Sequence, residues 1–382
     1  MSHFVVLVIG AEVEKQLAPY HEFECTGRAD EFVVDVDITA EARETFAKST
    51  KRRLRDPDGK LHEPCDDRFY RDPTPEENEK AGPMLGTGCG GGVLFHSKDW
   101  GDGRGYRAKV RFVPDGWTEV DAPACDVESF AEWVDGHYGA HPVPHGEEPD
   151  KTGPHKYGYA LLDAAGGVVK VVDRTNPNAR WDWFVVGGRW TGFFKMKPET
   201  ESKGPSATGR PGLMTEAARP GYADEALLCD VDIGGMRAEA EVKAAGEFDH
   251  YATAFSGKPI PSWEEIRERH AGDIEAARKE HGEEPVVKAL RALDKNHDLL
   301  WAGDYREHFC GGDRAAFLKR ARDSAMVTFA IVKDGRWFER GSMGWWGCVS
   351  CEMDRGEWND RFARLLDDLP PETPLTVVDC HI

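Results

Sequence analysis

No stretch of this 382-residue chain approaches the roughly 20 consecutive apolar residues that a membrane-spanning helix requires, so no helical membrane anchor is expected. The start lacks a basic n-region, a long apolar h-region and a cleavage site. Met1-Ser2-His3 runs straight into the short apolar run 4–9, and the reading is a cytoplasmic protein with reduced thiols. Positive charge is scarce: 49 Lys and Arg stand against 69 Asp and Glu, a formal net charge of −20. A general binder of the phosphate backbone needs a basic face, so direct nucleic-acid binding is not expected. The one concentrated basic run, Lys51-Arg52-Arg53-Leu54-Arg55, reads as a solvated helix end or loop. An H-E-x-x-H pair, an EF-hand loop and a second C-x-x-C are all missing. The nine cysteines are odd in number and scattered.

What is present is tryptophan and glycine. Twelve Trp within 40% apolar residues allow a substantial core, and the length fits two domains or one domain with insertions. Three glycine turns each deliver a Trp: Asp115-Gly116-Trp117, Gly187-Gly188-Arg189-Trp190 and Asp334-Gly335-Arg336-Trp337. Gly accepts positive φ without steric cost, so each reads as a tight hairpin turn. A further hairpin is expected around 163–167. The apolar runs 4–9 and 375–378 read as buried strands. Trp358, Phe362, Leu365, Leu366 and Leu369 form one stripe of a helix over 357–369 that Pro370-Pro371 ends. Ser262, with Glu265 three residues on, marks a helix start; 285–294 and 314–323 are further helices, the latter capped by Asp313. Loops are expected at 55–85, 135–156 and 197–224. These elements predict an α+β fold with a mixed or antiparallel central sheet, several hairpins, peripheral helices and both termini in the sheet. The expected division is a β-rich part at 1–196, a linker or insertion at 197–225 and an α+β part at 226–382.

Candidate chemistry centres on the segment 181–190. If the Gly187-Gly188 turn closes a two-residue hairpin, Trp181, Trp183 and Trp190 share its aromatic face, and Asp182 and Arg189 lie too far apart to pair, so each needs another partner. Such a ribbon would stack a base or sugar on Trp and hold an anion on Arg189. Trp345 and Trp346, flanked by glycines, are a second aromatic candidate. In an extended 21–25 segment Glu22 and Glu24 share a face, and His21 and Glu22 are the candidate proton-transfer pair. Gly86, Gly88 and Gly91 match G-x-G-x-x-G without the strand and helix that motif requires, and read as an ordinary loop. Cys348 and Cys351 have zinc-ribbon spacing without a second C-x-x-C, and His308, Cys310, Cys380 and His381 would complete four ligands only if the fold brought them together, so free thiols are preferred there over a zinc site.

Taken together, Met1-Ser2-His3-Phe4, His21-Glu22-Phe23-Glu24, the run from Asn176-Pro177-Asn178-Ala179 to Trp183, Gly187 to Trp190, Gly344-Trp345-Trp346-Gly347 and Val378-Asp379-Cys380-His381-Ile382 resemble a family of proteins from tailed phages and some bacteria. That family has no assigned activity. The resemblance implies a phage accessory context and adds no catalytic residue.

The function expected from these residues is binding of a small polar ligand, a nucleotide among the candidates, in an aromatic, Arg-bearing cleft. The alternative is an acidic, non-enzymatic protein that occupies a host factor.

Overall fold

The computed structural model describes residues 2–72, 74, 93–96, 107–200, 220–297, 299, 303–344 and 348–382. Its contacts divide the chain into two units, Met1–Phe32 with Asn176–Ile382, and Val33–Thr175. Most of the segment expected as a linker, 201–219, lies outside the described residues, as do the glycine loop 86–92 and Trp345 and Trp346.

In the first unit the strand His3–Ile9 takes the middle of a mixed sheet, because its β-branched residues can be buried on both faces. Val6, Leu7 and Val8 have no exposed surface. It runs antiparallel to the C-terminal strand Pro374–His381, with His3 opposite His381, and parallel to Ala330–Lys333. Both termini therefore lie in one sheet, and the α+β expectation holds. Beyond the C-terminal strand lie Trp183–Val186 and, further along the same edge, Glu225–Leu227. Beyond Ala330–Lys333 lies Arg336–Glu339.

That last pair is the hairpin predicted at Asp334-Gly335. Lys333 faces Arg336, and both turn residues have positive φ, 51° and 68°. The other two tryptophan turns are not hairpins. Trp183–Val186 pairs with Pro374–His381, Gly188–Trp190 is a short 3-10 turn, and Phe194–Lys195 pairs with Tyr222–Ala223. At Asp115-Gly116 the flanking strands also pair elsewhere: Thr118–Pro123 with Thr50–Arg55, and Arg107–Arg111 with Tyr70–Arg71 and Val93–His96. A glycine permits a turn. Which strands meet across it depends on the partners that distant segments offer.

On one sheet face Leu7, Ile9, Ile331, Leu375 and Val377 pack against Trp358 and Phe362 of the helix Arg355–Asp367. On the other, Phe4, Val6, Val8, Val378 and Cys380 pack against Leu17, Tyr20 and Trp181. A separate helical core joins Phe248 and Phe255 of Ile233–Phe255, Leu290 of Pro285–Leu293 and Phe317 of Arg314–Asp323. The caps predicted at Ser262 and Asp313 are formed.

The second unit pairs Val168–Thr175 with Val34–Asp37 and, as the hairpin around 163–167 predicts, with Gly158–Leu162. The helices Thr39–Lys48 and Phe130–Tyr138 contribute Ala42, Trp133 and Val134 to its core. The stretch 135–156, expected as a loop, begins inside the second of these helices and includes the strand His141–Val143.

Candidate functional site

Near one end of the first unit's sheet the apolar pattern stops and polar rings take over. His3, His381 and Trp183 are register partners on three adjacent strands, so their side chains stand in one row on one face. The His381 ring stacks on Trp183 at 4.9 Å between centroids with 14° between planes. His3 meets both edge-on, at 4.8 Å to His381 and 5.2 Å to Trp183.

Each imidazole is fixed by its own carboxylate. His3 Nδ1 lies 2.8 Å from Asp379 Oδ1, and His381 Nδ1 lies 2.7 and 2.8 Å from the two oxygens of Asp182. This leaves both Nε2 atoms without a partner among the described residues. The side chain of Asp379 is fully buried, and its second oxygen accepts the backbone N–H of Arg189 at 3.0 Å. Burial holds the His3 pKa below its ordinary value, and the nearby Arg189 charge acts in the same direction, against the raising effect of Asp379.

The glycines of the 187–192 turn make this fit. A Cβ at Gly188 would stand 2.5 Å from Asp379 Cβ, and one at Gly187 would stand 2.3 Å from an Asp224 carboxylate oxygen. Asp224 is fully buried and accepts the Gly192 N–H at 2.5 Å. Two buried carboxylates thus tie down the turn, which presents Arg189 exposed and free of any ion pair among the described residues.

The predicted residues are redistributed. Asp182 finds its partner in His381 and Trp183 stacks there, as members of one cluster. A bend at Asp182 sends Trp181 to the opposite face, where it is buried against Phe184 with its Nε1–H on Leu17 O at 3.1 Å. Trp190 sits half-buried in the 3-10 turn.

The extended 21–25 segment is not formed. Phe23–Thr26 is a helical turn, so Glu22 and Glu24 do not share a strand face. His21 is fully buried, its ring held by Thr26 Oγ1 at 2.8 Å and Asp30 Oδ1 at 3.2 Å. Both ring nitrogens are engaged there, and no hydrogen bond joins His21 to Glu22 among the described residues. The helical turn instead brings Glu22 and Cys25 to Asp182, with one potential ligand atom from each lying within 4.8 Å of the others.

Burial raises the Glu22 pKa, and burial together with Glu22 pushes the Cys25 thiol up to about 11. A thiol so raised is a poor nucleophile, whereas a divalent ion with mixed sulfur and oxygen preferences would favour its thiolate. Cys348 and Cys351 are exposed free thiols outside this group.

The sequence pattern points to no role for His3 or Asp379, and to His381 only as a conceivable zinc ligand beside Cys348 and Cys351. Their signal was present as the alternation Asp379-Cys380-His381, which places two polar side chains on one face of an apolar strand. No protein-family model matches the chain, and neither a curated protein nor a solved structure is found to be similar.

Proposed function

We propose that the protein binds a small polar ligand bearing a negative charge, a nucleotide being the first candidate, at the row formed by His3, His381 and Trp183. The observation that carries this reading is a pair of imidazoles, each fixed at Nδ1 by a carboxylate, beside a tryptophan and an exposed arginine that has no ion-pair partner among the described residues. Arg189 supplies the cation for an anionic group, and Trp183 the aromatic surface for a ring. The two Nε2 atoms supply hydrogen-bonding positions whose orientation is already set, so little ordering cost remains on binding. The phage setting implied by the motif resemblance is part of the proposal as context and assigns no residue.

Isothermal titration of the full chain with a panel of mononucleotides and cyclic nucleotides tests this. We expect binding that weakens about tenfold or more in Arg189→Ala, as loss of a charge-assisted contact predicts. A smaller loss is expected in Trp183→Ala. Unchanged binding in both variants, or no binding by any member of the panel to the folded protein, refutes the proposal.

A further inference from the structure

We infer that Glu22, Cys25 and Asp182 form a binding site for a zinc ion, a site that goes beyond the ligand-binding reading above. Two segments far apart in the chain build it. Glu22 precedes the helical turn Phe23–Thr26 and Cys25 lies three positions on, so both stand on the same side of that turn. The Glu22 N–H donates to Trp181 O at 2.6 Å, which seats the turn directly beside Asp182. One donor atom from each residue then lies within 4.8 Å of the others.

The frame around the three is tied down. Asn176, 2% exposed, donates through Nδ2 to Pro19 O at 3.0 Å and to His21 O at 2.8 Å, fixing the backbone that leads into Glu22. Thr26 Oγ1 donates to Glu22 O at 2.8 Å, and Gly27 N–H to Phe23 O at 2.7 Å. From the other segment His381, 4% exposed, directs Nδ1 at both oxygens of Asp182. A buried histidine that holds a carboxylate in one orientation is the outer layer that ligating carboxylates use.

Charge gives the sign of the occupant. Among the described residues neither Glu22 nor Asp182 has a Lys or Arg ion-pair partner, and the imidazole of His381 is the one basic group in contact with Asp182. Two half-buried carboxylates without a side-chain cation favour a bound one.

The donor set selects zinc. Magnesium and calcium take oxygen ligands and gain nothing from a thiolate. Zinc binds sulfur at about 2.3 Å and carboxylate oxygen at about 2.0–2.2 Å, so donors around it stand roughly 3.3–3.7 Å apart. Cys25 is exposed, which opens the group to solvent and lets its side chain rotate to close the remaining distance. The Cys25 S–H bond breaks as its electron pair goes to zinc, and the proton passes to solvent. Three protein donors leave the fourth tetrahedral position to water.

The test titrates the full chain, stripped of metal and kept reduced, with cobalt(II) and then displaces the cobalt with zinc. We expect a single equivalent of cobalt to give a thiolate charge-transfer band in the near ultraviolet and the visible bands of a four-coordinate ion, all removed by zinc. Cys25→Ser should abolish the charge-transfer band. Glu22→Gln and Asp182→Asn should each weaken cobalt binding about tenfold or more. The double variant Cys348→Ser with Cys351→Ser should keep the band unchanged. Near-UV circular dichroism checks folding, and Cys25→Ala replaces any Cys25→Ser protein that unfolds.

A folded protein that gives no such band overturns the inference. So does a band that survives loss of the Cys25 thiol, one that disappears in the double variant, or cobalt affinity unchanged in both carboxylate variants. The spectra are recorded without nucleotide, so this inference and the ligand reading fail separately.

Discussion

Gly188 shows how much of the candidate site rests on a missing side chain. Its φ of 55° is left-handed, and an added Cβ would meet the Asp379 and Val185 side chains at 2.5 and 2.9 Å. Gly166 also has a positive φ, 82°, but a Cβ there would meet nothing within 4 Å. Left-handed backbone costs a non-glycine residue about 1–2 kcal/mol, and overpacking adds about 1–3 kcal/mol. Urea denaturation should therefore show Gly166→Ala losing only the first of these and Gly188→Ala losing both. Equal losses would mean that the turn does not press on Asp379. The glycine pair was legible in the sequence as a tight turn. Its reason, a carboxylate arriving from the chain's last strand, was not, because residues 188 and 379 share nothing local.

At the scale of elements, the helix Arg355–Asp367 was readable because its signals are short-range: a stripe at helical spacing and two prolines after it. The structure adds the cap, with the Asp354 side chain accepting the N–H groups of Gly356 and Glu357, and the burial, with Trp358 only 1% exposed. The Trp358 Nε1–H also donates to Thr328 O at 2.8 Å. Trp358→Ala should cost about 3–5 kcal/mol in a chemical melt, and Asp354→Ala about 1 kcal/mol. If the two costs came out alike, the helix would not be held chiefly by the face it buries. The 21–25 segment failed as a strand for a related reason. Alternation over five residues is weak evidence, and the Thr26 side chain closes a helical turn on Glu22 O.

Across the whole molecule, proton binding links separated cores. His281 is buried between the Trp263 and Tyr305 rings, and its Nε2 has no hydrogen-bond partner among the described residues. Burial and then Arg291 lower its pKa, against Asp304 and Glu284, and His3 is lowered as described. A histidine whose folded pKa lies below the unfolded value of about 6.5 contributes stability that is complete above that value and lost as pH falls through the folded pKa. Glu247, lowered chiefly by its hydrogen bond to His308, contributes stability that is lost further down, below the ordinary carboxylate range. Thermal melts should therefore show a first decline below about pH 6.5 and a second below about pH 4.5. His281→Gln should flatten the first and leave the second. An unchanged first decline would count against His281 as its source.

Patterns confined to one stretch of chain were settled by the residues themselves: the apolar end strands, the capped helices and the Asp334-Gly335 hairpin. Burial, capping and turn geometry act over a few residues, so their signals lie side by side. Only the tertiary structure decided that His3 and His381 share a row, that Asp182 and Asp379 fix them, and that Trp181 leaves Trp183 for the opposite face. The shared row follows from strand register between segments more than 100 residues apart, where shifting the pairing by a single residue would send every side chain to the other face, and the departure of Trp181 follows from the bend at Asp182.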